Sequence, residues 1–308
     1  MKFTLNRAVD FEESLTCEFK EVKTQPLQSI GKIVDEYIVA FLNEVGGSIY
    51  WGIRDSDRLV TGVPLTAAAR DEVRQVIGQK VAVIAPPVLA TFVEAPFHSV
   101  VGTDGEPLPD LFVVEVRVTK PTVGPSLFLT GAGEAYRRTM GGTKKLSGAE
   151  LFSALGTEFK NSRPQADTHA LAGLPSVERR SAVVATLVRG RRVLWVDDRP
   201  SQTFYERLAL TQMGLAVDVA VTTREGLTAA LQLKPDVVLS DIERDGQQDA
   251  GLGFLQALRE NGVTAPVIFY IFDLDPRKGI PGGAFGITSN PAELLHLVLD
   301  VIERGARD

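Results

Sequence analysis

RRVLWVDDRPSQTFYERLALTQMGLAVDVAVTTREGLTAALQLKPDVVLSD, residues 191–241, alternates short apolar runs with amphipathic stretches, and that alternation decides the fold of the second half of the chain. RVLWV, AVDVAV and DVVLS read as strands, and PVIFYIF and AFGIT continue the series further on. Helical patterns fall between them, over roughly 201–213, 223–233, 250–261 and 291–304. Strict strand–helix alternation predicts an α/β, doubly wound parallel sheet whose site lies at the C-terminal ends of its strands. Asp197 and Asp198 come just past the first strand and Asp241 just past the third, which are neighbours in such a sheet. Three carboxylates converging there suit Mg²⁺ or Mn²⁺ as hard, oxygen-seeking cations, with Asp241 available to accept a phosphoryl group.

Working outward, the first half reads as a separate α+β unit. A strand through LTCEFKEV precedes a helix over roughly 27–45, apolar at Ile30, Ile33, Val34, Tyr37, Ile38, Phe41 and Leu42. Gly46-Gly47 stops it and turns the chain into the strand SIYWGI. Short strands near LVTGV, LATFVEA and LFVVEVRV, a helix over roughly 66–84 and a last helix at SGAELFSAL complete the unit. The polar, Pro- and Gly-containing segment 161–176 is the best boundary, giving domains of 1–160 and 191–308 joined by a linker and helix over 161–190. In that helix Ser176 is the expected N-cap and Gly190 the stop; it either lies on its own domain or packs between domains or copies.

A second acidic constellation sits in this first unit. Glu13 and Glu18 lie five residues apart in ESLTCEFK, Lys20 shares the strand face of Glu18, and Asp55 follows GGSIYWGIR. Three carboxylates and a lysine could hold a divalent cation, activate water and stabilise charge on a phosphodiester. The other reading is an ordinary strand edge, with Glu18 paired to Lys20 and Asp55 to Arg54. Arg137-Arg138 and Lys144-Lys145, flanking Gly141-Gly142, are the best phosphate contacts, and Tyr136 beside them could stack on a base; the alternative is a solvated turn.

Composition narrows the field. One cysteine, Cys17, excludes an intramolecular disulfide and a multi-cysteine zinc site, and it reads as a small packed residue rather than a nucleophile. Three scattered histidines argue against a His-ligated metal or a Ser-His-Asp triad, and no G-x4-GK[ST] pattern supports an ATPase. No run approaches the ~20 apolar residues of a membrane span, and MKFTLNRAVDFEE lacks the pattern of a signal peptide, so a soluble cytoplasmic protein is expected. Net charge is −6, with 17 Lys+Arg against 20 Asp+Glu over residues 1–160 and 16 against 19 beyond. Nucleic-acid binding would therefore use a local basic patch, not a global field.

ESLTCEFK, AFLNEVGGSIYWGIRD, Gly62-Val63, Ala85–Pro87 and AYRRTMGGT, in that order over about residues 10–155, resemble the divergent AlbA-type domain of the Schlafen family. The resemblance implies that Glu13, Glu18 and Asp55 form an acidic triad, with Lys20 beside it, using Mg²⁺ or Mn²⁺ to cleave tRNA or other structured RNA; Glu12 leaves the first position uncertain by one residue. Other members of the broader group are regarded as DNA- or RNA-binding modules of regulators. Vertebrate Schlafens use two such lobes and a zinc site; the single lobe here implies a homodimer, and one cysteine cannot make the zinc site. Residues 191–305 resemble the receiver domain of CheY-like response regulators, which implies Asp241 as phosphoacceptor and a histidine kinase or other protein as partner. Two receiver positions depart: Ile271 stands where a Ser or Thr is expected, and Asn290 where a Lys is expected. DLDPRKGIPGG is also too short and too rich in Pro and Gly for a normal fourth helix, so a pseudo-receiver is expected. Together the resemblances imply a metal-dependent endoribonuclease controlled by a receiver-like domain, suited to stress or anti-phage defence. The alternative they leave is a non-catalytic DNA- or RNA-binding response regulator of a phosphorelay.

Overall fold

The computed structural model describes residues 2–122, 124–140, 142–162 and 173–306. It divides into two compact units, Met1–Ser147 and Gly148–Asp308. The strands and helices of the first are β1 (Phe3–Thr4), β2 (Cys17–Lys20), α1 (Pro26–Leu42), β3 (Gly47–Trp51), β4 (Val63–Pro64), α2 (Ala67–Ala82), β5 (Val93–Glu94), β6 (Phe97–Val101), β7 (Pro107–Val118), β8 (Tyr136–Thr139) and β9 (Gly142–Lys145). Those of the second are α3 (Gly148–Ser162), α4 (Leu174–Val183), α5 (Ala185–Val188), β10 (Arg192–Val196), α6 (Phe204–Gln212), β11 (Ala216–Ala220), α7 (Thr223–Leu233), β12 (Val237–Ser240), α8 (Ala250–Glu260), β13 (Val267–Tyr270), β14 (Gly286–Thr288) and α9 (Pro291–Gly305).

In the first unit the strand order β1-β6-β7-β3-β2 makes a mixed sheet, with β4 and β5 also pairing with β7. Pro26 starts α1 where its missing N–H is no loss. Ile30, Val34, Ile38, Phe41 and Leu42 then bury one stripe of the helix against the sheet residues Ile49, Trp51, Val114 and Val116. Each such side chain contributes about 1.5–3 kcal/mol on burial. The helix must stop abruptly because β3 runs parallel to β2 immediately alongside. Gly46 and Gly47 make that turn with φ of 80° and 150°. A Cβ on Gly47 would lie 2.5 Å from the Thr16 carbonyl oxygen and 2.6 Å from the Phe41 ring. The other sheet face carries a smaller cluster around Phe3, Phe19, Tyr50 and Val113. β8 and β9 form a separate hairpin, tied to the end of α1 by buried Asn43, whose Nδ2 donates to the Phe128 and Tyr136 carbonyls.

The second unit has the parallel order β11-β10-β12-β13-β14. Counted from the first strand this is 2-1-3-4-5, the doubly wound order shared by flavodoxin and CheY. All five expected strands form, and α6 to α9 fall where the periodicity places helices. Between β13 and β14 the described residues contain no α-helix, only a short 3-10 turn at Pro276–Lys278. The Pro- and Gly-rich composition of that stretch explains the loss.

Two expectations about the middle of the chain need correcting. The helix at SGAELFSAL does not close the first unit: as α3 it packs on α4 and α6 and belongs to the second, so the boundary lies at 147/148 rather than at 160. Ser176 is not the N-cap of the next helix, a position held by Gly173; its Oγ donates to the Gly173 carbonyl at 2.6 Å. That helix, α4, lies on its own unit, where Arg180 bridges to Asp300 (2.5 Å) and Glu303 (2.8 Å) on α9. Residues 163–172, the centre of the expected linker, lie outside the described residues. Among the described residues no helix is long and apolar enough to cross a membrane.

Candidate functional site

The ends of β10 and β12 bring Asp197, Asp198 and Asp241 together, one oxygen from each within 4.8 Å of the others. The chain orients them with its own backbone: Asp197 Oδ1 accepts the Arg199 N–H at 2.7 Å, and Asp198 Oδ2 accepts the Asp245 N–H at 3.0 Å. They open into a cavity of about 820 Å³, also lined by Thr203, Tyr270, Ile271 and Phe272 and by the loop that replaces the missing helix. Burial pushes the Asp241 carboxyl up from 3.8 to about 6; Arg244 opposes this and the charges of Asp197 and Asp198 add to it. An all-oxygen donor set of three carboxylates fits a hard dication such as Mg²⁺ or Mn²⁺ and offers nothing to a soft metal. Such an ion would hold the three side chains together and neutralise incoming phosphate charge.

Neither departure from the receiver pattern is repaired at its own position. Ile271 lines the cavity with an alkyl chain. Asn290 is the N-cap of α9, its Oδ1 accepting the amides of Ala292 (2.9 Å) and Glu293 (3.3 Å). Arg199 Nε lies 3.7 Å from Asp198 Oδ1 on the exposed side, and the enclosed cation beside the acids comes from a residue that sequence reading passed over. The Arg244 side chain is 1% exposed and donates to Asp241 Oδ1 through Nε (3.0 Å) and Nη2 (2.6 Å). Its only sequence signal is a cation three residues after an aspartate.

The N-terminal acids are arranged differently. Glu18 is buried, and its carboxylate is already neutralised: Oε2 lies 2.8 Å from Arg138 Nη2, while Oε1 accepts from Lys20 (2.5 Å) and from the Tyr37 hydroxyl (3.0 Å). Burial works against the Lys20 ammonium, but its bond to Glu18 outweighs that and raises its pKa. Glu13 is exposed, and its Oε1 accepts the Phe19 N–H at 2.8 Å. Asp55 is exposed in the turn after β3, and Arg54 pairs with Glu21 and Asp57 instead of with it. Glu13, Glu18 and Asp55 are thus not gathered as metal ligands; among the described residues only Asp197, Asp198 and Asp241 are. The donor set does not fit a dication, because its one buried carboxylate already faces two cations. The strand-edge reading of Glu18 with Lys20 is the one this geometry matches.

The basic segment also divides. In the β8–β9 hairpin Arg137 faces Lys144 and Arg138 faces Thr143. Arg138 points inward, 1% exposed, with Nη2 on the Ser14 carbonyl (2.8 Å) and its plane over Phe41. Tyr136 is also buried, its hydroxyl donating to Glu134 at 2.7 Å, and Lys145 pairs with the same carboxylate. Arg138 and Tyr136 are therefore structural, which corrects their reading as phosphate and base contacts. Arg137 and Lys144 remain on the exposed face, Arg137 with a loose 3.4 Å pairing to Glu44. Burial, followed by the charge of Glu13, pushes the Cys17 thiol up to about 12, which disfavours the thiolate.

A second polar network went unread. Glu115, a charge inside the apolar run LFVVEVRV, is buried and accepts from Ser48 (2.7 Å), Tyr50 (3.2 Å) and Arg117 (3.1 Å), with His98 Nε2 at 2.8 Å. Burial pushes its carboxyl up, but the bonds from Ser48, His98 and Arg117 prevail and hold it below its ordinary value.

Parts of the chain are similar to known proteins. The transcriptional regulatory protein TrcR of Mycobacterium tuberculosis is 33% identical over 110 residues, which are 35% of this chain and 42% of that regulator. The chain thus spans less than half the length of this relative. Among solved structures, the chemotaxis response regulator CheY4 of Vibrio cholerae is 28% identical, with a TM-score of 0.32 over 36% of this chain and 98% of that one. The response regulator TrrA of Thermotoga maritima is 25% identical, with a TM-score of 0.33, covering 36% and 98%. The Schlafen, AlbA_2 family model matches residues 13–147, and that match ends where the first compact unit ends; the unit with the 2-1-3-4-5 strand order follows it.

Proposed function

We propose that this chain is a nucleic-acid-binding regulator without nuclease activity, whose receiver-like unit holds a divalent cation at Asp197, Asp198 and Asp241 and accepts a phosphoryl group on Asp241. One observation carries the choice between regulator and nuclease. The C-terminal carboxylates converge on open space, whereas Glu18, the buried member of the N-terminal set, is enclosed by Arg138, Lys20 and Tyr37. A carboxylate with two cations and a hydroxyl upon it has little left to offer a metal. The AlbA_2 match and the transcriptional regulator among the relatives support a nucleic-acid-related role. The contact surface would be the outward face of the hairpin, Arg137 and Lys144, with Met140 88% exposed at its tip.

Three readouts on the full chain test this. Incubation with acetyl phosphate and MgCl₂ should add one phosphoryl group, read by intact mass and absent from Asp241→Asn. Binding to tRNA and to duplex DNA should weaken as salt rises. Total tRNA with MnCl₂ should stay intact. Mn²⁺-dependent cleavage abolished by Glu18→Gln would instead favour the endoribonuclease reading, for which the ordered ESLTCEFK and GGSIYWGIRD segments speak.

A further inference from the structure

The Arg244 guanidinium is fully enclosed. Nη1 donates to Thr223 Oγ1 at 2.7 Å, Nη2 to Ser240 Oγ at 2.7 Å, and the plane lies 5.7 Å from the Phe254 ring centroid. Both of its bonds to Asp241 end on Oδ1, and neither reaches Oδ2. Asp241 lines the cavity and Arg244 does not, so the cation approaches from behind, out of a ligand's way. Asn290, where a cation would be expected at the front, is committed to capping α9.

We propose that Arg244 is the positioning residue of the acid site, a fixed cation that clamps Oδ1 of Asp241 and so presents Oδ2 to the phosphoryl donor. This rests on the reading of Asp241 as a phosphoryl acceptor and adds how the acceptor is aimed. With an acyl phosphate as donor, a lone pair on Oδ2 forms the new O–P bond. The bond from phosphorus to the acyl oxygen breaks, and its electron pair departs on a free carboxylate; no proton moves, and total charge is conserved. Oδ1 then becomes a carbonyl oxygen without formal charge. Arg244 loses its counter-charge, and the groups still bonded to it are Ser240 and Thr223, the first residue of α7. The loss of charge on Oδ1 is therefore delivered to the start of α7, without the donor that Ile271 lacks.

The experiment compares the full chain with Arg244→Gln and Thr223→Ala, measuring phosphoryl uptake from acetyl phosphate by intact mass and Mn²⁺ affinity by calorimetry. Arg244→Gln should slow uptake at least about tenfold, as loss of a preorganised donor does. It should also bind Mn²⁺ about fivefold more tightly, because a cation has left the ligand set. Those opposite signs are what a merely structural arginine would not produce. Thr223→Ala, which loosens the guanidinium without touching Asp241, should slow uptake about threefold; if Arg244→Gln fails to fold, this variant decides. Uptake by the variants at the wild-type rate, or uptake and Mn²⁺ affinity falling together, overturns the assignment to Arg244 alone. Wild-type protein that takes up no phosphoryl group overturns the acceptor reading and the clamp with it.

Discussion

Each unit of this protein sets a nearly fully buried arginine against a carboxylate at a strand, yet the two arrangements point to opposite chemistry. Around Glu18 one carboxylate meets two cations, Arg138 and Lys20. Around Asp241 three carboxylates meet one enclosed cation, Arg244. The first group is saturated from within the fold and has become a structural joint. The second keeps an excess of negative charge facing a cavity, and that excess is what a dication or a phosphate-bearing donor with its metal can use. Counting acids in a sequence does not separate these cases; counting the cations that reach them does.

The largest expected effect comes from breaking the saturated joint. Glu18→Ala leaves Arg138 buried without its counter-charge, which should cost about 3–5 kcal/mol in urea unfolding of the first unit. Arg138→Met should be severe as well, because Arg138 also holds the Ser14 carbonyl. The double variant should lose much less than the two single losses added together, since neither charge is then stranded. Additive losses, or a Glu18→Ala midpoint equal to wild type, would show that the joint is no joint and reopen Glu18 as a free ligand.

At the unsaturated site the expected effects are smaller and depend on pH. Burial raises the Asp241 carboxyl from 3.8 to about 6, so its ionised form is disfavoured in the fold. The sign is that of a raised acid: its favourable contribution is complete below 3.8 and is lost as pH climbs through 6. In chelator this should destabilise the second unit by up to about 3 kcal/mol between those limits. Mg²⁺ at 100 times its Kd should return about 2.7 kcal/mol above pH 6 and progressively less below it, as Asp241 takes up a proton. Thermal unfolding across pH 4–8, with and without Mg²⁺, measures both; equal Mg²⁺ stabilisation at pH 4 and pH 8 would mean that Asp241 is not a ligand.

How much of this the sequence discloses follows from the distance between partners. α7 is legible to the residue because Thr222 caps it locally, accepting from Glu225 N–H, and its apolar period is its own. The convergence of Asp197, Asp198 and Asp241 is legible in part: alternation implies a parallel sheet with its site at the strand ends, and the 2-1-3-4-5 order then makes the first and third strands neighbours. Arg138 is not, since the carboxylate it neutralises lies 120 residues earlier, across strand pairings that no local pattern encodes. Even so, the period of two was available: adjacent residues on a strand face opposite ways, so Arg137 and Arg138 could not both face a ligand. Glu115 left a similar trace, as a charge in an apolar strand is rarely buried without partners. α3 was misassigned because it follows the first unit in the chain, while its apolar face packs on helices that come later.

The smallest effect tests the same parity rule on the hairpin. Arg137 and Lys144 face each other on its exposed side, whereas Arg138 and Thr143 face inward. If the outward pair meets phosphate, Arg137→Ala with Lys144→Ala should weaken binding to tRNA or DNA by about 1 kcal/mol at moderate salt. It should also flatten the slope of log K against log salt by about 2 for duplex DNA, one unit for each phosphate that is no longer neutralised. Arg137→Ala by itself should hardly change folding, because Arg137 has a long, partly solvated pairing with Glu44. The slope discriminates better than the affinity: a conformational effect lowers affinity at every salt concentration alike, whereas removing cations from phosphates reduces the number of counterions released. An unchanged slope would move the nucleic-acid surface off the hairpin and leave Arg137 and Lys144 as ordinary solvated charges, while the joint at Glu18 and the acid site at Asp241 would stand as before.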